Sequence, residues 1–508
     1  MMWDVCFASS RQSMNKYRIF IFFLALLCIG SFACRRDQIT TSSSAKLDFS
    51  VDTILFDTLF TTLGSTTAAL RVYNNNDEKV SISSIDLWGG SESQYRINVD
   101  GINGPTHSDI EINGNDSLWI FVEVTIDPGN IDIPFIVEDS IVFATNGNRQ
   151  SVILNAWGQD AYFHGSLGGA EYLSNCDEVW NNDKPHVLYG IIGVDSCCSL
   201  TINPGTQVFC HDKSGIFVYK GTLEVNGELG SEVVFQGDRL EPFYDDLAGQ
   251  WGIEVDIGFE TDFGVEVATI TRGGIYMFQS KESSIDYAII KNGIIGLQVD
   301  TTNMASGFNL TMNNTKIMNM SAIGLFSQGG TVQGVNNEIT NCGQSCAALT
   351  VGGSYNFRHC TFANFWTESN RQSPSFYLTN YYVDINDNLQ IRNFGEAVFE
   401  NCIMHGNNAQ LSEFSEWILD LEEPDAVNYE FRGCYVDSDE DLSDDGVHFF
   451  NMKKSENPPP FIDPFEDNFD LPSGVSNQFT ANSIGVTTDI KGQIRAASPT
   501  IGAHEKGD

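Results

Sequence analysis

The chain has 508 residues, 42% of them hydrophobic, and a formal net charge of −40. That length is enough for two or three domains with cores of their own. A surface this acidic repels nucleic acid, anionic headgroups and polyuronates unless cations bridge them, which excludes a nucleic-acid partner.

At the N-terminus Lys16 and Arg18 precede an apolar run at 19–32, which ends in Ser31-Phe32-Ala33-Cys34. A basic stretch, a short apolar run and small residues before a Cys read as a secretory signal, too short and wrongly flanked for a membrane span. The pattern resembles a bacterial lipoprotein signal of the looser Bacteroidetes kind, although Phe32 and Ser31 depart from the usual Leu-and-small consensus. The resemblance implies that the signal at 1–34 is cleaved just before Cys34, that Met14 is the initiator and that Cys34, as first residue of the mature chain, carries the lipid. The implied location is the outer membrane, lipid-anchored, on its periplasmic face or at the cell surface. Plain signal cleavage near Ala33 is the alternative. Arg35-Arg36 lacks the acidic run tied to surface export in some Bacteroidetes, so the side of the membrane stays open.

Residues 35–46 (RRDQITTSSSAK) are polar and rich in Ser and Thr, the composition of a flexible tether. Over 47–160 the pattern changes to short alternating strands such as Ala69-Leu70-Arg71-Val72-Tyr73 and Leu118-Trp119-Ile120-Phe121-Val122. Turn clusters such as Asn74-Asn75-Asn76-Asp77 and Asn146-Gly147-Asn148 separate them, which predicts a β-sandwich. This stretch resembles Ig-like modules that precede larger domains in Bacteroidetes surface lipoproteins.

Over 161–508 one short phrase recurs, at 288–292, 315–319, 337–341, 360–364, 402–406 and 434–438, at intervals of 27, 22, 23, 42 and 32 residues. Its third residue is always apolar (Ile290, Ile317, Ile339, Phe362, Met404, Val436), and its fifth is Asn four times (Asn292, Asn319, Asn341, Asn364). A strand-length motif returning about every 22–25 residues is the signature of a solenoid, here on the order of ten coils. Asn at a recurrent bend tolerates left-handed geometry, and its amide can bond the Asn of the next coil. The progression "LTINPGT…GTLEVNGELGSEVVFQG…GQWGIEV" from Leu200, and the ending Asp489…Gly492…Arg495…IGAHE, resemble right-handed parallel β-helix proteins of the pectate-lyase type. The expected fold class is therefore all-β, an N-terminal Ig-like β-sandwich followed by a right-handed parallel β-helix. After Ser438 the period fades into an acidic, Pro-containing region expected as an irregular cap.

Nine cysteines follow Cys34, so at least one is unpaired. Cys176 has Cys197, Cys198 and Cys210 as possible partners, and Cys342 with Cys346 closes a small loop. Cys360, Cys402 and Cys434 share one phase of the repeat and are expected as a file of buried core thiols.

Loops that break a solenoid's rhythm usually carry its binding face. Two such insertions stand out, residues 239–250 and a longer one from Phe365 to about Asn388. The second concentrates Trp366, Glu368, Arg371, Tyr377, Tyr381, Tyr382 and Asp384, where aromatics can stack on sugar rings while Arg and carboxylates orient hydroxyls. A mini-core beneath a long loop is the structural alternative. Arg358-His359 beside it offers a base, but strand alternation sends the two to opposite sides. Calcium is the one cofactor the residues suggest, with Asp384, Asn386 and Asp387 as ligands. An EF-type window from Asp441 has Gly446 sixth and then Met452 where the bidentate Glu belongs. Of the Asn-Thr-Asp, Asp-Asp, His-Gly and Arg-Ile-Lys series of polygalacturonases, only His405-Gly406 is present.

The expected function is an exported, membrane-anchored, non-catalytic scaffold that binds a polysaccharide or another envelope component. The alternatives are a polysaccharide lyase or glycoside hydrolase acting in the β-helix groove, and a purely structural or adhesive envelope protein. An enzyme should bring Glu368, Asp384, His359 and Arg371 together on one face, whereas a binder needs only the aromatic platform.

Overall fold

The computed structural model describes residues 38–60, 64–126, 135–173, 175–261, 264–301, 307–384, 386–407, 415–424, 427–438, 440–455 and 457–506. The expected signal at 1–34, with Met14 and the lipidation site Cys34, lies outside them. The chain divides into two compact units, residues 1–159 and 160–508.

The first unit is a β-sandwich. One sheet runs Ile39–Thr40, Lys79–Leu87, Phe135–Thr145, Asn148–Gln159, Thr53–Phe60, with Thr106–Ile112 also paired to Lys79–Leu87. The other runs Asp48–Phe49, Ala68–Asn74, Asp116–Val124, Tyr95–Val99, Ile102–Asn103. The apolar halves of the alternating strands meet between the sheets, where Leu70, Val72, Ile82, Ile120, Val122 and Leu154 are sealed from water. Asn146-Gly147 turns the longest hairpin with both residues at positive φ, 50° and 79°, the geometry of a two-residue turn that follows the strand twist. The tether expectation needs correction from residue 38 onward. Ile39–Thr40 pairs in parallel with Lys79 and Val80, and Ala45 and Leu47 are buried. The Gln150 side chain also clasps both backbone groups of Leu47, at 3.1 and 2.8 Å.

The second unit is a parallel β-helix. Each coil contributes a strand to a first face, then a second, then a third. The first face is a ten-stranded sheet from Asp177–Trp180 to Phe449–Phe450, while the second and third weave into one continuous sheet of 18 strands. The repeated phrase is a second-face strand, and its apolar third residues form a single inward file. Ile290 pairs with Ile317, then Ile339, Phe362, Met404 and Val436 in turn, all fully buried. Beneath the first face Phe357, Phe399 and Phe431 stack coil on coil at 5.8 and 4.7 Å.

The bends have their own ladders. Asn292, Asn319 and Asn341 turn the chain from the second face to the third at φ of 66°, 55° and 50°. Asn319 donates to Asn292 Oδ1 at 2.8 Å, the coil-to-coil amide bond expected of the series. Asn341 instead donates to Pro464 and Asp467, and Asn364, which is not at positive φ, donates to Cys342 and Gln344. A second ladder stands at the bend from first face to second, where Asn314, Asn336, His359 and Asn401 all have positive φ. Cys360, Cys402 and Cys434 follow as a buried file of free thiols, and Cys342 and Cys346 are also free. Cys176 bonds Cys198, 22 residues on, tying successive coils at the N-terminal end.

The acidic C-terminal region returns across the second face. Phe461, Phe469, Leu471, Phe479 and Ile501 pack onto Ala363, Ile403 and Tyr435. A chain of charges fixes it there. Lys491 bonds Asp470 at 2.6 Å, Asp470 meets His504 at 2.9 Å, His504 bonds Glu338, and Glu338 takes Lys316 at 2.7 Å.

Candidate functional site

With the second face covered by this chain's own C-terminal region, the outer surface of the third face offers the richest chemistry. Its strands include Gly215–Tyr219, Ile275–Phe278, Ile295–Asp300, Ile323–Gln328, Ala347–Thr350, Phe376–Thr379 and Trp417–Asp420. Alternation buries Ile216, Val218, Met277, Leu297, Leu325 and Leu378, and turns Phe217, Tyr219, Tyr276, Phe278, Phe326 and Tyr377 outward, each half-buried. Phe217 stacks on Tyr276 at 5.2 Å and Tyr219 on Phe278 at 6.1 Å. Rings stacked along the coil axis cover each other's faces, so this part of the stripe presents mainly ring edges.

Two hairpins flank the face. One pairs Ile253–Thr261 with Gly264–Arg272 at the bend leading into the face. The other pairs Tyr381–Val383 with Leu389–Ile391 at the bend leading out of it. Gly273, at the foot of the first, donates to Gln298 Oε1 at 2.8 Å, and Gln298 donates to Asp300 at 2.7 Å. Burial raises the Asp300 carboxyl above its ordinary range, against the hydrogen bonds from Gln298 and the Gln328 amide. Four coils on, Asp420 Oδ2 accepts the hydroxyls of both Tyr377 and Tyr381 at 2.8 Å. Burial and the bond to Asp420 both push the Tyr377 hydroxyl well above the usual phenol range. At the outgoing bend a hollow of about 520 Å³ is lined by Gln328, Ser354, Ile391, Arg392 and Asn393.

The residues expected to form one platform are split by the face itself. Residues 365–375 lie at the incoming bend, Tyr377 on the face, and Tyr381, Tyr382 and Asp384 at the outgoing bend. Trp366 and Glu368 line a separate hollow of about 400 Å³ with Asp246, Phe465 and Asp467. Arg371 is no ligand-facing cation. It is buried and grips the equally buried Glu416 through two bonds of 2.6 and 2.8 Å. Tyr382 is exposed, with the Arg392 guanidinium 5.7 Å from its ring centre.

Asp384, the first of the residues expected as calcium ligands, is engaged within its own hairpin. The Asp384 oxygens accept from the amides of Asn386 and Asn388 at 2.9 and 3.0 Å and from Gln390 Nε2 at 3.0 Å, so they close the hairpin. Those bonds hold its carboxyl below the usual range. No group of three His, Cys, Asp or Glu among the described residues is placed to hold a metal. Asp441 and Asp445 likewise cap local turns.

His359 is sealed in the bend ladder, where Asn401 donates to its Nε2 at 3.1 Å. Burial drops its pKa to about 3, which keeps it neutral and out of reach of any ligand. His405 is buried, with Nε2 2.9 Å from the Ser455 carbonyl. Glu368, Asp384, His359 and Arg371 therefore do not converge. Phe217, Tyr219, Tyr276, Phe278 and Asp420 were missed by sequence reasoning. Outward aromatics in alternation with buried aliphatics were the available signal, in "GIFVY" and "IYMF".

At the N-terminal end a hollow of about 480 Å³ is lined by Tyr162, His164, Glu178, Trp180 and His186. His164 stacks on Trp180 at 4.5 Å, and His186 stacks on both of them, at 5.1 and 4.8 Å, so these rings close the first coil. Burial lowers the His164 pKa to about 4.

No protein-family model and no curated protein matches the chain. Among solved structures, a complex of XylC with xylose is 8% identical, covering 89% of this chain and 88% of its own at a TM-score of 0.32. The catalytic unit of a GH87 α-1,3-glucanase from Streptomyces thermodiastaticus is 9% identical, covering 76% and 78% at 0.27. A PapD-like domain of human CEP192 is 11% identical, covering 25% of this chain and 92% of its own at 0.16. All three likenesses are distant.

Proposed function

We propose that the protein is an exported, membrane-anchored scaffold that binds a neutral polysaccharide along the third face of its β-helix without cleaving it. The observation that carries this reading is a row of outward aromatic rings along the face from Phe217 to Tyr377, with Asp420, whose carboxylate is held by Tyr377 and Tyr381, at its far end, on a face flanked by two hairpins. Aromatic edges and faces pack against the apolar sides of sugars, while fixed polar groups orient hydroxyls. The net charge of −40 favours an uncharged polymer.

The spacing of carboxylates argues for binding over hydrolysis. Asp300 and Asp420 lie in one outward file, separated through Gln328, Thr350 and Thr379. Four steps at the strand spacing is about 19 Å, against the roughly 5–9.5 Å that acid and base or nucleophile need across one glycosidic bond. One observation favours the enzyme reading: burial makes Asp300 hold its proton more tightly than an ordinary carboxyl, as a general acid does.

The test is incubation of the full chain with a panel of neutral polysaccharides, reading reducing ends released and protein retained. Retention without release, weakened in Asp420→Asn and Arg392→Ala, is the expected result. Release that disappears in Asp300→Asn would establish the enzyme instead.

A further inference from the structure

We propose a second glycan site on the β-sandwich, on the outer surface of its five-stranded sheet, centred on Trp119 and Phe121. Both rings stand on Asp116–Val124, the middle strand of that sheet. Their strand neighbours Ile120 and Val122 are fully buried, yet Trp119 is 46% and Phe121 44% exposed. A middle strand with one face in the core ordinarily turns polar residues outward. Two large rings about 7 Å apart on the wet side of the sheet depart from that rule.

The neighbours across the sheet suit a sugar. Trp119 faces Arg71 across the sheet, and the Arg71 guanidinium lies 5.2 Å from the ring centres of both Trp119 and Tyr73. Phe121 faces Ala69 on one side, where a methyl group leaves the ring open, and Asn98 on the other. Beside Phe121 is a hollow of about 420 Å³, lined by Thr67, Arg96, Asn98, Asn103 and Glu123. That volume falls within the roughly 300–1,000 Å³ of small-molecule sites.

Its polar groups are set before any ligand arrives. Asn98 donates to Asn103 at 2.6 Å, and Thr67 donates to Glu123 Oε1 at 2.6 Å. Arg96 and Glu123 also border a second hollow of about 400 Å³ that reaches Tyr95, Gly104 and Pro105. Together they form a path past an aromatic ring lined with amides, a carboxylate and a guanidinium. A protein partner would favour a contiguous apolar centre with charges at its rim. Here charges and amides sit beside the ring itself, and cation and anion are both present, which matches the hydroxyls of an uncharged sugar chain.

The experiment is affinity electrophoresis of the full chain against soluble neutral glucans, xylans and mannans, with thermal unfolding measured in parallel. Phe121→Ala and Trp119→Ala should each weaken binding to at least one polymer by tenfold or more with unfolding unchanged. Phe121→Tyr should retain binding. Asp420→Asn, on the β-helix, should leave a residual affinity that Phe121→Ala then removes, which separates this site from the third-face reading. Wild-type affinity in the Trp119→Ala/Phe121→Ala double variant would overturn the proposal, as would absence of binding to every polymer. A loss of self-association in that variant, with glycan affinity intact, would reassign the surface to contact between copies of the chain.

Discussion

Arg371 and Glu416 form one of the most enclosed ion pairs among the described residues, with Ser375 adding an amide bond to the same carboxylate at 3.0 Å. Removing one partner leaves the other charged and dry, so Arg371→Met should destabilise the β-helix by about 3–5 kcal/mol. Arg371→Met combined with Glu416→Leu should recover much of that loss, as read by denaturant unfolding. The bond network around His504 gives the β-helix a pH dependence of its own. Burial alone would lower the His504 pKa, but Glu338 and Asp470 raise it above its ordinary value, while Lys316 and His504 hold the Glu338 carboxyl at about 2. A raised imidazole contributes stability that is complete below about pH 6.5 and is lost as pH rises through the folded value. His164 and His359 act with the opposite sign, since burial holds them neutral down to about 4 and about 3. The unfolded chain takes up those protons first, so their contribution falls as pH drops below about 6.5. The melting temperature should therefore decline on both sides of neutrality. In His504→Gln the alkaline decline should flatten while the acid decline persists, and an unchanged alkaline slope would rule the network out as its source.

Among the elements, the bend ladders carry the solenoid's geometry. Asn319 holds φ at 55°, donates to Asn292, and donates to the Asp246 carbonyl at 2.6 Å. Asn319→Ala should cost about 1–3 kcal/mol from strain and lost hydrogen bonds, with Asn319→Gly recovering the conformational part alone. Asn292, Asn319 and Asn341 were legible in the sequence because the same left-handed bend repeats at three successive coils, a requirement that Asn364 no longer meets. So was the inward file from Ile290 to Val436, since burial admits only apolar residues there. The second ladder was not legible, because Tyr287, His359 and Asn residues alternate in the same conformation and no single residue type marks it. The insertion after Phe365 misled for a related reason. Adjacency in sequence suggested one platform, but residues 376–379 form an ordinary third-face strand that parts its two halves. Arg371 read as a ligand-binding cation because its partner Glu416 lies 45 residues away. The outward faces resist sequence reading in general, since water accepts any side chain there and only the aromatic excess betrays a site.

On the scale of the molecule, each unit has a core of its own, one between the two sheets and one running through the coils. The sandwich is small and locally closed, whereas each coil of the β-helix is supported only by the coils above and below it. A substitution inside one core should therefore leave the other unit's unfolding where it was. Phe399 is sealed between Phe357 and Phe431, so Phe399→Ala opens a cavity at mid-stack and should cost about 3–5 kcal/mol. Ile120→Ala should cost about 2–5 kcal/mol within the sandwich. Scanning calorimetry of the full chain should resolve two transitions, with Phe399→Ala lowering one and Ile120→Ala the other. A single transition lowered equally by both variants would show instead that the two cores fold as one cooperative unit. In that case the loss of glycan retention in any destabilised variant would have to be read against unfolding of the whole chain.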